Sequence, residues 1–260
     1  MDFHTSFSAL ESTEDADESC RYTTEELEYM DNEFTRQITL VFSTLKTLES
    51  GLGRAHSPTI CLEIYTPARR VDRQSFCLHH TFVSWRVHLI SPSTLPSLAS
   101  VQTLDIQRPD EAYYAESPQP SVLKLDLRAI LDIASKLLNL EFLICRVGGD
   151  EWYHSIGNND LRHISRDWAG PRRDSRNDFG KTLQETTLPC LCKAVLDFLY
   201  PLFLVEDIDQ RIALPNFVKP SRYDIFNTSL RFLSYQLRKM TLRVVAGETL
   251  FWPGDDSTPS

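Results

Sequence analysis

Residues 134–147, ASKLLNLEFLICRV, carry leucines at helical spacing, a short break at Asn139, and then a run of β-forming residues. The same organisation recurs in three further stretches, LPSLASVQTLDI (95–106), LPCLCKAVLDFLY (188–200) and SLRFLSYQLRKMTLRVVA (229–246). Such a helix–turn–strand unit cannot bury its own apolar face. Neighbouring units must therefore stack, with their strands side by side in a parallel sheet.

The rest of the chain adds a long helix and two strands to this repeat. Residues 23–50 begin with Thr23 and Glu26, a capping-box pair, and continue with apolar residues at steps of three and four. ICLEIY (60–65) and FVSWRVHLI (82–90) alternate as strands do. The predicted fold class is α/β, with irregular leucine-rich-repeat-like strand–helix units and a mainly parallel sheet, preceded by an N-terminal helix. The repeat interval of roughly 40–50 residues exceeds the ~20–29 of ordinary leucine-rich repeats.

The predicted domain boundaries follow from the polar and acidic stretches of the chain. Residues 1–22 form an acidic, disordered N-terminus, residues 23–253 a single leucine-rich-repeat-like domain, and residues 254–260 a disordered tail. Long polar inserts separate the units and are predicted as loops that are either functional or mobile. The inserts span residues 107–121, 148–178 and 206–228.

The amino-acid composition and net charge limit the classes of molecule that this protein is expected to bind. The chain has 260 residues, 42% of them hydrophobic, and a net charge of −9, which argues against nucleic acid or an anionic membrane as the main partner. The N-terminus lacks the apolar segment of a secretory signal, and the six cysteines are scattered. We expect an intracellular protein with reduced thiols, in the cytoplasm or the nucleus.

The segment RVGGDEW (146–152) resembles the GGDEF hairpin of diguanylate cyclases. The residues that follow, YHSIGNND, are polar and turn-prone, so they cannot continue the buried strand that such a hairpin needs. Neither a nucleophile elbow nor a glycine-rich phosphate loop occurs. We therefore predict no catalytic residues and no cofactor. The alternative is a small hydrolase or transferase with an unrecognised site in the loops near Asp150, Glu151, His154 and His163.

The sequence does not predict a metal site. Cys190 and Cys192 form a C-x-C rather than the C-x-x-C that brings two thiolates to one tetrahedral ion. The local groups of cysteine and histidine do not reach four ligands. We expect core thiols and surface imidazoles.

Aromatic and arginine side chains make the inserts candidates for protein binding. RDWAGPRRDSRND (166–178) interleaves Trp168 and four arginines with aspartates, which suits either an internally salt-bridged loop or a patch that faces a partner. Tryptophan and arginine are enriched at binding hot spots. The predicted partner-binding residues are Trp152, Trp168, Arg172 and Arg173.

Most of residues 82–253 resembles the family of fungal F-box and leucine-rich-repeat-like proteins. The resembling stretches are LPSLASVQTLDI (95–106), LDIASKLLNLEFLICRVGGDEW (131–152), RDWAGPRRDSRNDFGKTL (166–183), LDFLYPL (196–202), EDIDQRIALPNFV (206–218) and SLRFLSYQLRKMTLRVVAGETLFWP (229–253). The resemblance implies a non-enzymatic protein-interaction module that selects a substrate for a cullin-based ubiquitin ligase. An N-terminal F-box would dock on the adaptor of that ligase.

The sequence departs from the family at its N-terminus. Residues 1–60 contain no Leu-Pro and one clear helix, so the F-box is not visible. We expect a repeat region without its adaptor-docking module, in a short paralogue, a truncated gene product or a fragment. A degenerate copy without function is the further alternative.

Overall fold

The computed structural model describes residues 2–7, 23–52, 59–69, 86–107, 121–122, 125–146, 169–197 and 225–243. Seven strands are present there, namely β1 (Asp2–Phe7), β2 (Ile60–Arg69), β3 (Val101–Gln107), β4 (Ser121–Val122), β5 (Phe142–Arg146), β6 (Lys193–Asp197) and β7 (Lys239–Arg243). The helices are α1 (Thr24–Leu52), α2 (Leu127–Ala134), α3 (Ala169–Glu185) and α4 (Ile225–Gln236).

All seven strands belong to one sheet. Six of them lie in the order β1-β2-β3-β5-β6-β7, each parallel to its neighbours, and the short β4 pairs antiparallel with the end of β2. The described parts of the β-forming runs in the four repeat stretches lie in β3, β5, β6 and β7 and therefore share one sheet, which confirms that expectation. The strands β2, β3, β5, β6 and β7 begin at residues 60, 101, 142, 193 and 239, at intervals of 41, 41, 51 and 46 residues.

The helices form one layer on one face of this sheet. Apart from the short β4, the strands follow one another across the sheet in one direction, and right-handed crossovers then place the described helices on the same side. Buried residues of all four helices join alternate strand residues, such as Leu62, Leu104 and Leu196, in a single core cluster. The predicted α/β class with a mainly parallel sheet is confirmed. Its likeness to leucine-rich repeats remains a prediction.

The start of α1 follows the sequence closely. The Thr23 backbone N–H donates to Glu26 Oε2 at 2.8 Å, and the Glu26 N–H donates to Thr23 Oγ1 at 3.2 Å, as a capping box requires. The helix then buries one face against the sheet through residues three or four apart. These are Met30, Phe34, Ile38, Val41, Phe42 and Leu45.

Most of the leucines that mark the repeat lie in turns rather than in helices. α2 ends at Ala134 and α3 at Glu185, and the leucines that follow them are buried or partly buried between helix and strand, except for the exposed Leu138. Neighbouring turns bond to one another: the Leu138 N–H donates to the Leu98 carbonyl at 2.8 Å, and the Cys192 N–H donates to the Glu141 carbonyl at 2.9 Å. The helical spacing of these leucines was therefore misleading, since Pro96, Asn139 and Pro189 favour turns.

The predicted strand at 82–90 is wrong over its described part, residues 86–90. Val87 forms a single bridge with Leu125, while Val87 and Leu89 are buried. The intervening backbone N–H groups of His88 and Ile90 donate to side chains of α1 instead of to another strand. Alternating burial arises here from packing against a helix, which sequence periodicity cannot distinguish from pairing in a sheet.

The structure differs from the sequence predictions at three other places. Residues 2–7, predicted to be disordered with the rest of 1–22, form β1 beside β2. This segment precedes the acidic run that suggested disorder. The insert predicted as a loop over 148–178 contains the start of α3, where Pro171 suits the first turn of a helix. α4 likewise begins inside the insert predicted over 206–228.

Candidate functional site

The two faces of the sheet have different chemistry. Leu62, Leu104, Leu143 and Leu196 face the helix layer and are each 1% exposed or less. Their neighbours along each strand point to the opposite face, because side chains alternate. Ile144 illustrates this, since it is buried but does not belong to the core cluster that contains the helices.

We call this second surface the open face, because none of the described helices lies on it. Strand register arranges its side chains in three rows across the strands. The first row is Cys61, Thr103, Phe142, Lys193 and Lys239; the second is Glu63, Asp105, Ile144, Val195 and Thr241; the third begins with Tyr65, Gln107 and Arg146. Cys61, Lys193 and Lys239 are exposed, and most of the others are partly exposed.

Carboxylates gather on the β2–β3 side of the open face. Asp105 is 7% exposed and lies in register with Glu63. Arg146 Nη1 is 3.6 Å from Asp105 Oδ2, but Asp105 Oδ1 accepts no hydrogen bond within the described chain. Burial raises the pKa of Asp105, the Arg146 guanidinium opposes that shift, and the Glu63 carboxylate adds to it. The Tyr65 hydroxyl donates to Glu63 Oε2 at 3.4 Å.

Two lysines occupy the opposite side of the open face. Lys193 and Lys239 are register partners on β6 and β7, and both are exposed. Lys193 Nζ lies 5.9 Å from the centre of the Phe142 ring, within reach of a cation–π interaction. Neither lysine makes an ion pair with another residue of the described ranges. The positive charge on this side is therefore available to a ligand.

The residues predicted to bind a partner are not brought together by the described part of the chain. Trp152 and Trp168 lie outside the described residues. Arg172 and Arg173 lie in the N-terminal part of α3, of which the backbone is described. The GGDEW segment and the alternative site near Asp150, Glu151, His154 and His163 are also outside, so these predictions are not tested.

A cleft on the helix layer does not have the chemistry of an active site. It has a volume of about 610 Å³ and lies between α3, α4 and the connection 186–191. Its described lining includes Leu183, Phe232 and Leu233 and contains no acidic, basic, histidine or cysteine side chain. It therefore lacks a general acid or base among those residues.

Cysteine and histidine do not assemble a metal site among the described residues, where no three potential ligands come together. Cys192 donates its thiol to the Glu141 carbonyl at 3.4 Å, and Cys190 is exposed in the preceding turn. His88 lies between two carboxylates, with Nδ1 3.3 Å from Asp31 Oδ2 and Nε2 3.8 Å from Asp126 Oδ2. This group connects α1 to the N-cap of α2.

Sequence reasoning missed the open face because it looked for candidates in the inserts. The signal was present as alternation within the strands. In ICLEIY the second, fourth and sixth residues are Cys61, Glu63 and Tyr65, and in FLICR the first and last are Phe142 and Arg146. Once one face of each strand is assigned to the core, the remaining positions define the surface.

No described helix is both long enough and apolar enough to cross a membrane. Comparison of this chain with protein-family models, with curated proteins and with solved structures gives no match. The resemblance to fungal F-box and leucine-rich-repeat-like proteins therefore stays a prediction based on the sequence stretches quoted above.

Proposed function

We propose that the chain is a non-enzymatic, intracellular protein-interaction module whose partner binds on the open face of the sheet. The observation that carries this proposal is the open face itself. It combines partly exposed aromatic side chains, Tyr65 and Phe142, with charged side chains that strand register holds in fixed rows. A partner on such a surface is recognised by surface complementarity and not by bond chemistry.

The rigidity of the sheet supports this role. Hydrogen bonds to both neighbours fix the positions of β3, β5 and β6, so binding would order only side chains and not the backbone. Preorganisation of this kind lowers the entropic cost of association. Arg146 and Tyr65 are also of the types that contribute most to binding hot spots.

The four residues predicted from the inserts fit the same proposal as a second contact region. Trp152 follows the carboxyl end of β5 in sequence, and Arg172 and Arg173 belong to the helix that leads into β6. Ligands of parallel sheets bind preferentially at the carboxyl ends of the strands. We propose that Trp152, Trp168, Arg172 and Arg173 contact the same partner.

The resemblance to fungal F-box proteins suggests a biological setting for this module. The partner would then be a substrate of a cullin-based ubiquitin ligase, with this chain as the part that selects it. In this setting the repeat-like region would select the substrate, and the F-box itself is not visible in residues 1–60.

The experiment is a co-purification of the tagged full chain from fungal cells with quantitative mass spectrometry. Wild type is compared with Lys193→Glu/Lys239→Glu on the open face and with Lys181→Glu/Arg231→Glu, a matched charge change on exposed positions of α3 and α4. We expect specific partners to be lost with the first variant and kept with the second. Identical partner sets for all three proteins would refute the open face as the binding surface.

The same data test the link to ubiquitination. Cullin and adaptor subunits among the captured proteins would support a role in substrate selection. Their absence from every sample, when a known F-box protein captures them in parallel, would remove the ligase role. The interaction module on the open face would not be affected by that result.

A further inference from the structure

The open face is divided into an acidic half and a basic half. Glu63 and Asp105 are register partners on β2 and β3, and Lys193 and Lys239 are register partners on β6 and β7. β5 lies between the two pairs and contributes Phe142. Opposite charges therefore occupy opposite ends of a single surface.

The acidic half presents its negative charge through Glu63. The side chain of Asp105 is 10% exposed, and its Oδ1 is buried and accepts no hydrogen bond within the described chain. A partner therefore contacts this half at the partly exposed Glu63, while Asp105 adds its negative charge from beneath the surface. Arg146 Nη1 is 3.6 Å from the other oxygen, and the Arg146 side chain is 38% exposed, so this ion pair compensates the charge only in part. Glu63 places a second negative charge beside it.

In the basic half, no described carboxylate pairs with the lysines as Arg146 does with Asp105. Lys193 and Lys239 are exposed and form no ion pair within the described ranges. Asp197 lies four residues further along β6, in register with Arg243 and not with the lysines. Two adjacent ammonium groups repel each other unless an anion lies between them.

Strand spacing sets the length of a ligand that reaches both halves. Neighbouring strands are ~4.8 Å apart, so β3 and β6 are separated by roughly 10 Å and β2 and β7 by roughly 19 Å. An extended chain spans ~3.3 Å per residue, which corresponds to roughly three to six residues. The centre of this path passes Phe142, which is partly exposed and suits an apolar side chain.

From these charges and distances we infer that the open face takes an extended segment of a partner protein, laid across the strands, with Arg or Lys over Glu63 and Asp or Glu over Lys193 and Lys239. An apolar residue of the segment lies over Phe142. This inference rests on the proposed function and specifies its partner by chemistry. A uniformly anionic partner is disfavoured by the acidic half, and a uniformly cationic one by the basic half.

Fluorescence anisotropy with labelled synthetic peptides tests the inference at low ionic strength. The lead peptide carries Arg and Glu four positions apart with Phe between them, and comparison peptides carry Arg and Glu adjacent, Arg replaced by Gln, or Glu replaced by Gln. We expect the lead peptide to bind the full chain about tenfold more tightly than each comparison peptide. Equal affinity for the spaced and adjacent arrangements would overturn the inference.

Charge changes in the protein provide a rescue test. Glu63→Gln, which leaves the buried Asp105 in place, should weaken binding of the lead peptide but not of the peptide that lacks Arg. Lys193→Glu/Lys239→Glu should lose the lead peptide and gain a peptide with Arg at both ends. The matched helix-surface variant Lys181→Glu/Arg231→Glu should do neither. A gain with the helix-surface variant would show that net charge alone controls binding.

The results separate the inference from the proposed function. If co-purified partners depend on Lys193 and Lys239 while the peptides show no dependence on charge spacing, the inference fails and the proposed function stands. If neither the partners nor the peptides respond to these lysines, the open face is not the binding surface and both fail.

Discussion

The two ends of the helix layer are held to their neighbours by different physical means. At the first end, side-chain-to-backbone hydrogen bonds join the irregular segment 86–100 to α1 and to Asn139, in the turn that follows α2. At the second end, α3 and α4 pack directly against each other. The difference shows how the layer stays continuous where a segment of irregular structure lies beside a helix.

The first end needs polar contacts because segment 86–100 bonds few of its own backbone groups, apart from those of the 3-10 turn at Pro92–Thr94. A helix bonds its own N–H groups, whereas an extended segment must find acceptors elsewhere. Asp31 Oδ1 accepts from the His88 N–H at 2.7 Å, and Thr35 Oγ1 accepts from the Ile90 N–H at 2.8 Å. α1 thus supplies acceptors that a neighbouring strand or helical turn would otherwise supply.

The second end relies on close apolar packing. The rings of Phe179 and Phe226 have centroids 5.9 Å apart, and the backbone of Phe226 lies against Gly180. The buried Ser229 hydroxyl donates to the Gly180 and Ile225 carbonyls at 2.7 and 2.6 Å. We therefore expect volume changes to destabilise the second end most, and changes of charge or pH to act on the first.

Truncation of the aromatic pair should have the largest effect. Phe226→Ala removes a 1% exposed ring and should lower the free energy of unfolding by about 3–5 kcal/mol. Urea denaturation followed by circular dichroism measures the loss. The control is Phe232→Ala on the same helix, where the side chain is 60% exposed and the expected change is below ~0.5 kcal/mol. Similar losses for both variants would contradict the packing described for this end.

A methyl group added to the helix contact should have the next largest effect. A Cβ on Gly180 would lie 2.8 Å from Phe226 Cα, so Gly180→Ala should destabilise the protein by about 1–3 kcal/mol despite the better helix propensity of alanine. Gly51→Ala in α1 is the matched control, because nothing lies within 4 Å of its added Cβ. That variant should be more stable than wild type by up to ~1 kcal/mol. Two changes of the same sign would refute the difference between the ends.

The sequence predicted the sheet better than the helix layer. Alternation and β-branched content correctly located five strands of the sheet, because burial of every second side chain against the helices leaves a strong local pattern. The same pattern at 86–90 arose from packing against α1, and only the three-dimensional neighbour of Val87 and Leu89 distinguishes the two cases. The helix that includes Arg172 and Arg173 was missed because its first turns are highly charged.

The candidate site was less predictable than the fold for a related reason. Glu63 and Asp105 are 42 positions apart in sequence, as their numbers show, and register alone makes them neighbours. Composition indicates that such residues belong on a surface, but not which of them meet. Tryptophan and arginine in the inserts were conspicuous because they are locally clustered, whereas residues dispersed over five strands are not.

At the first end, the carboxylate of Glu49 should make the free energy of unfolding fall at acidic pH. Glu49 Oε1 accepts from the backbone N–H groups of Ala99 and Ser100 at 2.7 and 2.6 Å. Burial alone would raise the pKa of Glu49, but hydrogen bonds from Ser100, Ala99 and Lys46 outweigh it and lower the pKa below the ordinary 4.5. A lowered pKa contributes stability above pH 4.5 that is lost as the pH falls through the folded-state value.

Glu49→Gln isolates that contribution, since the amide oxygen still accepts hydrogen bonds without the charge. We expect wild type to be more stable than the variant by about 1 kcal/mol at pH 6–7, with the gap closing below pH 4.5. Urea denaturation at a series of pH values measures it. A gap that widens on acidification would contradict the assigned role of the carboxylate.

The smallest effect is expected at His88, which has the opposite dependence on pH. The hydrogen bond that the imidazole donates to the Asp31 carboxylate raises the pKa of His88, and burial opposes this. Asp126 raises the pKa further and Arg86 lowers it, with a net shift above the ordinary 6.5. A raised pKa contributes stability below pH 6.5 that is lost as the pH rises through the folded-state value. Because the side chain is 48% exposed, wild type should exceed His88→Gln by less than ~1 kcal/mol at pH 6. NMR titration of the imidazole checks the sign of the pKa shift. The midpoint should lie above 6.5 in wild type and move down in Asp31→Asn. A midpoint at or below 6.5 in wild type would show that the polar contacts of the first end do not extend to this ring.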